Sequence, residues 1–99
     1  MRVELFYFDG CPNWKVADER LSEALRTVGR DDITVQRHNV ETLAHAEAVR
    51  FAGSPTIRIN GEDPFATGGE HVGLTCRLYR TPEGLGGSPT VGQFVQALS

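Results

Sequence analysis

Arg2 to Phe8 is apolar on both faces of an extended chain, and it runs straight into Gly10-Cys11-Pro12-Asn13-Trp14 and a long helical pattern. A strand with two apolar faces fits the centre of a sheet covered on both sides. Asp9-Gly10 breaks the strand, and Pro12 suits a first helical position, where its missing N–H leaves no bond unmade. Trp14, Ala17, Leu21, Ala24, Leu25 and Val28 then recur at three- and four-residue steps as one buried face. Lys15, Asp18, Glu19, Arg20, Glu23 and Arg26 fall mostly on the other face, and Gly29 ends the helix.

The rest of the chain alternates between strand and helix patterns. Ile33, Val35 and Arg37 against Thr34, Gln36 and His38 read as a half-buried strand at a sheet edge. Asn39 is a candidate cap for an alanine-rich helix from about Glu41 to Arg50, with Leu43, Ala46 and Val49 inward and Gly53 past its end. Thr56 to Asn60 reads as a strand, and Asn60-Gly61 as a turn. Glu62 to Gly73 reads as a long loop, of the kind that is more often functional or mobile than accidental. Leu74 to Arg80 alternates again, with Leu74, Cys76 and Leu78 on one face, and Pro82 to Gly87 forms a second loop. Thr90 and Gln93 have capping-box spacing ahead of the apolar face Val91, Phe94, Val95 and Leu98. The expected architecture is α/β: a four-stranded mixed sheet in the order β-α-β-α-β-β-α, with helices on both faces.

The 99 residues point to a single domain spanning 1–99. With 39% hydrophobic and 23% charged residues, the composition is that of a globular chain and not a disordered one. The net charge is −3 and the ten Lys and Arg are scattered, which argues against nucleic acid as a partner. No apolar run approaches the roughly 20 residues that cross a membrane. The chain enters a strand pattern at once, leaving no room for a signal peptide, so the expected compartment is the reducing cytoplasm. Cysteines there are more often reactive or merely buried than joined in a structural disulfide.

Cys11 would lie at the start of the first long helix, where backbone N–H groups and the helix dipole favour a thiolate. The dipole supplies typically 0.3–1 kcal/mol, and up to ~2 when partly buried, while one unit of thiol pKa is worth roughly 1.4 kcal/mol. One unit is thus within reach of the helix alone. A larger depression needs a cation, for which Lys15 is the nearest candidate. The alternative is an exposed, unactivated thiol. Trp14 reads best as a helix-face aromatic packed in the core.

A cysteine at a strand-to-helix turn, followed by Gly53-Ser54-Pro55-Thr56 at the start of a later strand, resembles the thioredoxin superfamily. Gly86-Gly87 ahead of the last helix resembles the glycine pair of glutaredoxins. The resemblance implies a thioredoxin-like fold, with Cys11 as nucleophile and Pro55 as a cis proline. It also implies that Ser54 offers backbone groups to a bound thiol peptide or disulfide, with Pro12, Trp14 and Thr56 beside it. The motif departs from the dithiol pattern, because Trp14 stands where a second cysteine would. This implies monothiol thiol–disulfide exchange, in which Cys11 attacks a disulfide or accepts glutathione and an external thiol resolves the adduct. No cofactor is implied. The partners implied are glutathione or a protein thiol or disulfide.

The rival reading is a binding module without turnover, holding a thiol peptide or soft metal in the proline groove. A third is a structural protein that pairs through an exposed strand edge. The variant motif also resembles small bacterial thioredoxin-like proteins, some of them labelled alkylmercury lyase-like. Mercury–carbon cleavage uses two cysteines and an acidic residue together, and the pattern puts no second cysteine near Cys11. In the expected sheet, Cys76 sits two strands from Cys11, roughly 9–10 Å away laterally. A disulfide needs Cα atoms within ~7 Å. Cys76, the only other thiol and so the only internal resolver to consider, reads better as a small buried apolar residue, with a direct Cys11–Cys76 bond the alternative if the long loop displaces its strand. His38, His45 and His71 have no metal-ligand spacing, although Cys11 with His71 is a conceivable mixed pair. Arg58, Arg77 and Arg80 read as a solvated basic stripe on the outer face of the hairpin strands.

Overall fold

The computed structural model describes residues 1–99. Its elements in chain order are β1 (Val3–Tyr7), α1 (Asn13–Thr27), β2 (Gln36–Asn39), α2 (Leu43–Val49), β3 (Thr56–Ile59), β4 (Tyr79–Thr81), β5 (Gly84–Gly86) and α3 (Val91–Leu98). β1 lies at the centre of a three-stranded sheet, parallel to β2 (Leu5 opposite Arg37) and antiparallel to β3 (Leu5 opposite Ile57). β4 and β5 form a separate antiparallel hairpin.

Alternation along β1 builds two cores. Val3 and Leu5 point into one with Leu21 and Leu25 of α1, Ile57 of β3, and Phe94 and Leu98 of α3. Phe6 points the other way, onto Val40, Ala46 and Phe51 beside α2. α1 has no side-chain cap and starts from Pro12 in helical conformation. α3 carries a complete capping box between Thr90 and Gln93. α2 is capped by Thr42, whose hydroxyl accepts from His45 N at 3.1 Å, and not by Asn39. It is shorter than the sequence pattern suggests, and Leu43 is exposed.

The four-stranded sheet expected from the sequence does not form. The segment Leu74–Arg80 makes a single parallel bridge, Cys76 to Ser54, and then leaves the edge of β3 to pair with Gly84–Gly86. The cause is a reversal of phase. Arg77 and Tyr79 are buried while Cys76 and Leu78 are exposed, the opposite of the apolar alternation. A one-residue change of phase sends each side chain to the other face. It is favoured here because Arg77 finds its partners inside. Its Nη1 donates to Asp63 Oδ2 at 2.6 Å, its Nη2 donates to the Phe65 carbonyl at 3.1 Å, and its guanidinium stacks 4.6 Å from the Tyr79 ring centroid. The expected basic stripe is therefore absent. Arg58 also turns inward, donating to the Val49 carbonyl at 2.6 Å and covering the Phe6 ring. No helix is long and apolar enough to cross a membrane.

Candidate functional site

β1 delivers the chain to the start of α1 through a tight turn, in which Cys11 N donates to the Phe8 carbonyl at 3.2 Å. Cys11 is completely buried, and its Sγ donates to the Ser54 carbonyl at 3.5 Å. Pro12 is exposed. Trp14 is half-buried and stacks on Tyr7 with ring centroids 4.0 Å apart and planes at 23°. Lys15 lies over the Trp14 ring, with Nζ 6.0 Å from the centroid. At the far side of the turn, Gly87 packs so close to Asn13 that a Cβ there would fall 2.3 Å from its side chain.

The Ser54–Pro55 peptide bond is cis. Ser54, Pro55 and Thr56 are all buried. Ser54 Oγ accepts from Phe8 N at 3.4 Å, Thr56 Oγ1 donates to the Gly53 carbonyl at 2.6 Å, and the Tyr79 hydroxyl donates to the Pro55 carbonyl. Burial holds the Tyr79 phenol well above its ordinary pKa, which keeps it a donor.

The backbone of Ser54 is not free. Its N–H donates to the Thr75 carbonyl at 2.7 Å, and its carbonyl accepts from Arg77 N at 2.9 Å as well as from Cys11. These are the groups that the sequence resemblance assigned to a bound peptide. The chain's own residues 75–77 take them instead.

That pairing carries Cys76 to Cys11. Cys76 bridges to Ser54, whose carbonyl accepts from Cys11 Sγ at 3.5 Å, so both cysteines meet at one residue, and the neighbouring Cys11 thiol, ahead of desolvation and charge, pushes the Cys76 thiol up to about 11. Both cysteines are free thiols. Two sequence expectations are overturned here. Cys76 is neither a buried apolar residue nor two strands removed from Cys11. The estimate of lateral distance assumed a full fourth strand beyond β3, whereas the bridge sits at the end of β3 where Cys11 lies. The objection that no second cysteine is near Cys11 falls with it, although neither thiol hydrogen-bonds to an acidic side chain.

No three His, Cys, Asp or Glu side chains converge on one point. His38 instead pairs with Glu4, Nε2 to Oε2 at 3.0 Å, and stacks on Phe6. The cavity between the 62–73 loop and the β4–β5 hairpin, about 310 Å³, is lined by Phe65, Glu70, Leu78, Tyr79 and Leu85 among others and holds neither sulfur.

Sequence reasoning missed Thr75, Arg77 and Tyr79 as parts of the site and favoured a buried structural role for Cys76, which is exposed. A signal for two of them was present: a charged Arg77 flanked by Cys76 and followed at even spacing by Tyr79 marks a strand whose inward face the aliphatic residues do not define. The fold and site together describe a small α/β domain with a buried and an exposed thiol brought together at Ser54. Known families, characterised proteins and solved structures were compared with the chain, and none matches it.

Proposed function

We propose that the protein carries out thiol–disulfide exchange through Cys11 and Cys76. The observation that supports this reading is the meeting of the two cysteines at Ser54, where Cys11 Sγ donates to the carbonyl and Cys76 forms the backbone bridge, one thiol buried and one open to solvent. Two thiols held at one residue close to a disulfide where their Cα atoms come within ~7 Å, whereas isolated thiols need an external partner to resolve each adduct. The second cysteine therefore supplies internally what a monothiol protein takes from outside. Glutathione or a protein thiol would return the oxidised form to the dithiol, and a reducing cytoplasm suits a site that rests with both thiols free.

The test is oxidation of the reduced protein in a graded glutathione buffer, with the remaining thiols alkylated and counted by mass. The expected product is an intramolecular disulfide with no retained glutathione, lost in Cys11→Ser and in Cys76→Ser alike. A wild-type protein that keeps both thiols alkylatable under strongly oxidising conditions would refute the reading. The same placement favours one rival, the binding of a soft cation between two sulfurs without turnover. Stoichiometric retention of silver(I) together with failure to close the disulfide would select that rival. The pH dependence of alkylation gives a further check. In Cys11→Ser the principal cause of the high Cys76 pKa is gone, so the Cys76 profile is expected to have its midpoint well below 11.

A further inference from the structure

We propose that Cys76 is the thiol that meets the incoming disulfide, that Cys11 resolves the adduct, and that the substrate is a small, unhindered disulfide rather than an extended cysteine peptide. This rests on the exchange reading above and adds the order of events and the class of substrate.

Access decides the order. Cys11 is completely buried beneath the turn and the 75–77 segment, so an external sulfur cannot reach it in line without displacing that segment. Cys76 is exposed and bridges to Ser54, the residue whose carbonyl Cys11 Sγ meets at 3.5 Å. A disulfide arriving from solvent therefore meets the sulfur that solvent reaches, Cys76.

The substrate class follows from the backbone. An extended peptide is usually gripped by main-chain hydrogen bonds along a free edge. At Ser54 both groups are already spent, the N–H on Thr75 and the carbonyl on Arg77 and Cys11. The segment filling this place is anchored on both sides. Gly53 packs against Arg77 Cβ and the Thr75 carbonyl, and the Arg77 side chain is tied to Asp63. Residues 75–77 thus take the main-chain groups of Ser54 that an extended peptide would need. The surface left to an external molecule is the outer side of the Cys76 sulfur, which a compact disulfide reaches and a docked strand does not.

The chemistry balances. The Cys76 thiolate attacks one sulfur of RS–SR′; the Cys76–SR bond forms, the RS–SR′ bond breaks and R′S⁻ leaves to take a proton. The Cys11 thiolate then attacks Cys76 Sγ, the Cys11–Cys76 bond forms and RS⁻ leaves and is protonated. The protein loses two electrons and two protons, and the disulfide becomes two thiols.

Oxidised glutathione is the probe, and mass spectrometry of the trapped protein is the readout. Cys11→Ser is expected to accumulate one stable glutathione on Cys76. Cys76→Ser is expected to acquire glutathione on Cys11 at least about tenfold more slowly. In the wild type, acid quenching at early times is expected to trap the transient adduct on Cys76. This holds the proposal open to refutation even where a variant folds poorly. A wild-type adduct on Cys11, or equal rates in the two variants, would overturn the order. A glutathionylated unfolded peptide is expected to oxidise the wild type at least about tenfold more slowly than oxidised glutathione does. Equal or faster oxidation by the peptide would overturn the substrate class. Closure of the disulfide by way of Cys11 defeats this inference alone, whereas a wild type that never closes defeats the exchange reading itself.

Discussion

Arg77→Ala is expected to destabilise the protein by about 3 kcal/mol, because it strands a carboxylate in a poorly hydrated place. The Arg77 side chain is 6% exposed and its partner Asp63 14%, at a separation of 2.6 Å. Removing the cation leaves Asp63 with its charge and little water, and the Phe65 carbonyl loses its donor. The Tyr79 ring loses the guanidinium stacked on it. Urea denaturation measures the loss. Arg77→Met, which keeps the apolar stem, is expected to recover part of it, and Arg77→Ala with Asp63→Asn most of the electrostatic part. A single-variant loss under about 1 kcal/mol would mean that Asp63 regains water freely and that Arg77 does not fasten the loop.

The same side chain ties the 62–73 loop to the strand carrying Cys76, so hydrogen exchange in that loop is expected to quicken in Arg77→Ala at neutral pH. Glu70 adds an acid limit. Hydrogen bonds from the Thr67 hydroxyl and backbone, with smaller help from Arg77 and Gly68, hold its carboxyl at about 2 against an ordinary 4.5. A folded pKa below the unfolded one stabilises fully above 4.5 and is lost as pH falls toward 2. Loop protection is therefore expected to fade over that window in the wild type and to fade less steeply in Glu70→Gln, where the Arg77–Asp63 pair still responds to acid.

The parts of this fold that local chemistry decides were legible in the sequence. A two-faced apolar strand followed by a helical pattern gives β1 and α1, and Thr90 with Gln93 gives the start of α3. The parts that depend on a tertiary partner were not. Alternation over Leu74–Leu78 points the aliphatic side chains inward, because a period of two does not say which phase is buried. The decision fell to Arg77, whose preference for the interior exists only because Asp63 and the Phe65 carbonyl wait there, supplied by a loop with no pattern of its own. The cost of that error was the second half of the site. With the phase reversed, Cys76 faces out at a single bridge to Ser54 instead of into a core, and the thiol pair follows. Cys11, by contrast, is placed by the local turn and lies where the sequence put it, though buried rather than open.

Gly53→Ala is expected to part the two thiols, at a loss of about 2–4 kcal/mol in stability. Gly53 sits at φ +101, where an L side chain is strained by about 1–3 kcal/mol. Its space is also taken: an added Cβ would stand 3.1 Å from Arg77 Cβ and 3.2 Å from the Thr75 carbonyl oxygen. The first is the root of a buried, ion-paired side chain and the second is backbone bonded to Ser54 N, so neither gives way as a flexible tip would. The relaxation open to the chain is movement of residues 75–77 away from Ser54, which takes Cys76 from Cys11. Three readouts are expected to move together: urea stability falls, the Cys76 titration midpoint drops below 11 as the neighbouring Cys11 thiol is left behind, and closure of the disulfide slows by at least about tenfold. Gly68→Ala separates strain from collision. Gly68 also has a positive φ, +90, but nothing lies within 4 Å of its Cβ position, so it is expected to lose about 1 kcal/mol with the Cys76 titration unchanged. Should Gly53→Ala lose stability while the Cys76 midpoint and the rate of disulfide closure hold at their wild-type values, the contact of Gly53 with residues 75–77 does not keep the thiols together, and the Ser54 hydrogen bonds do so alone.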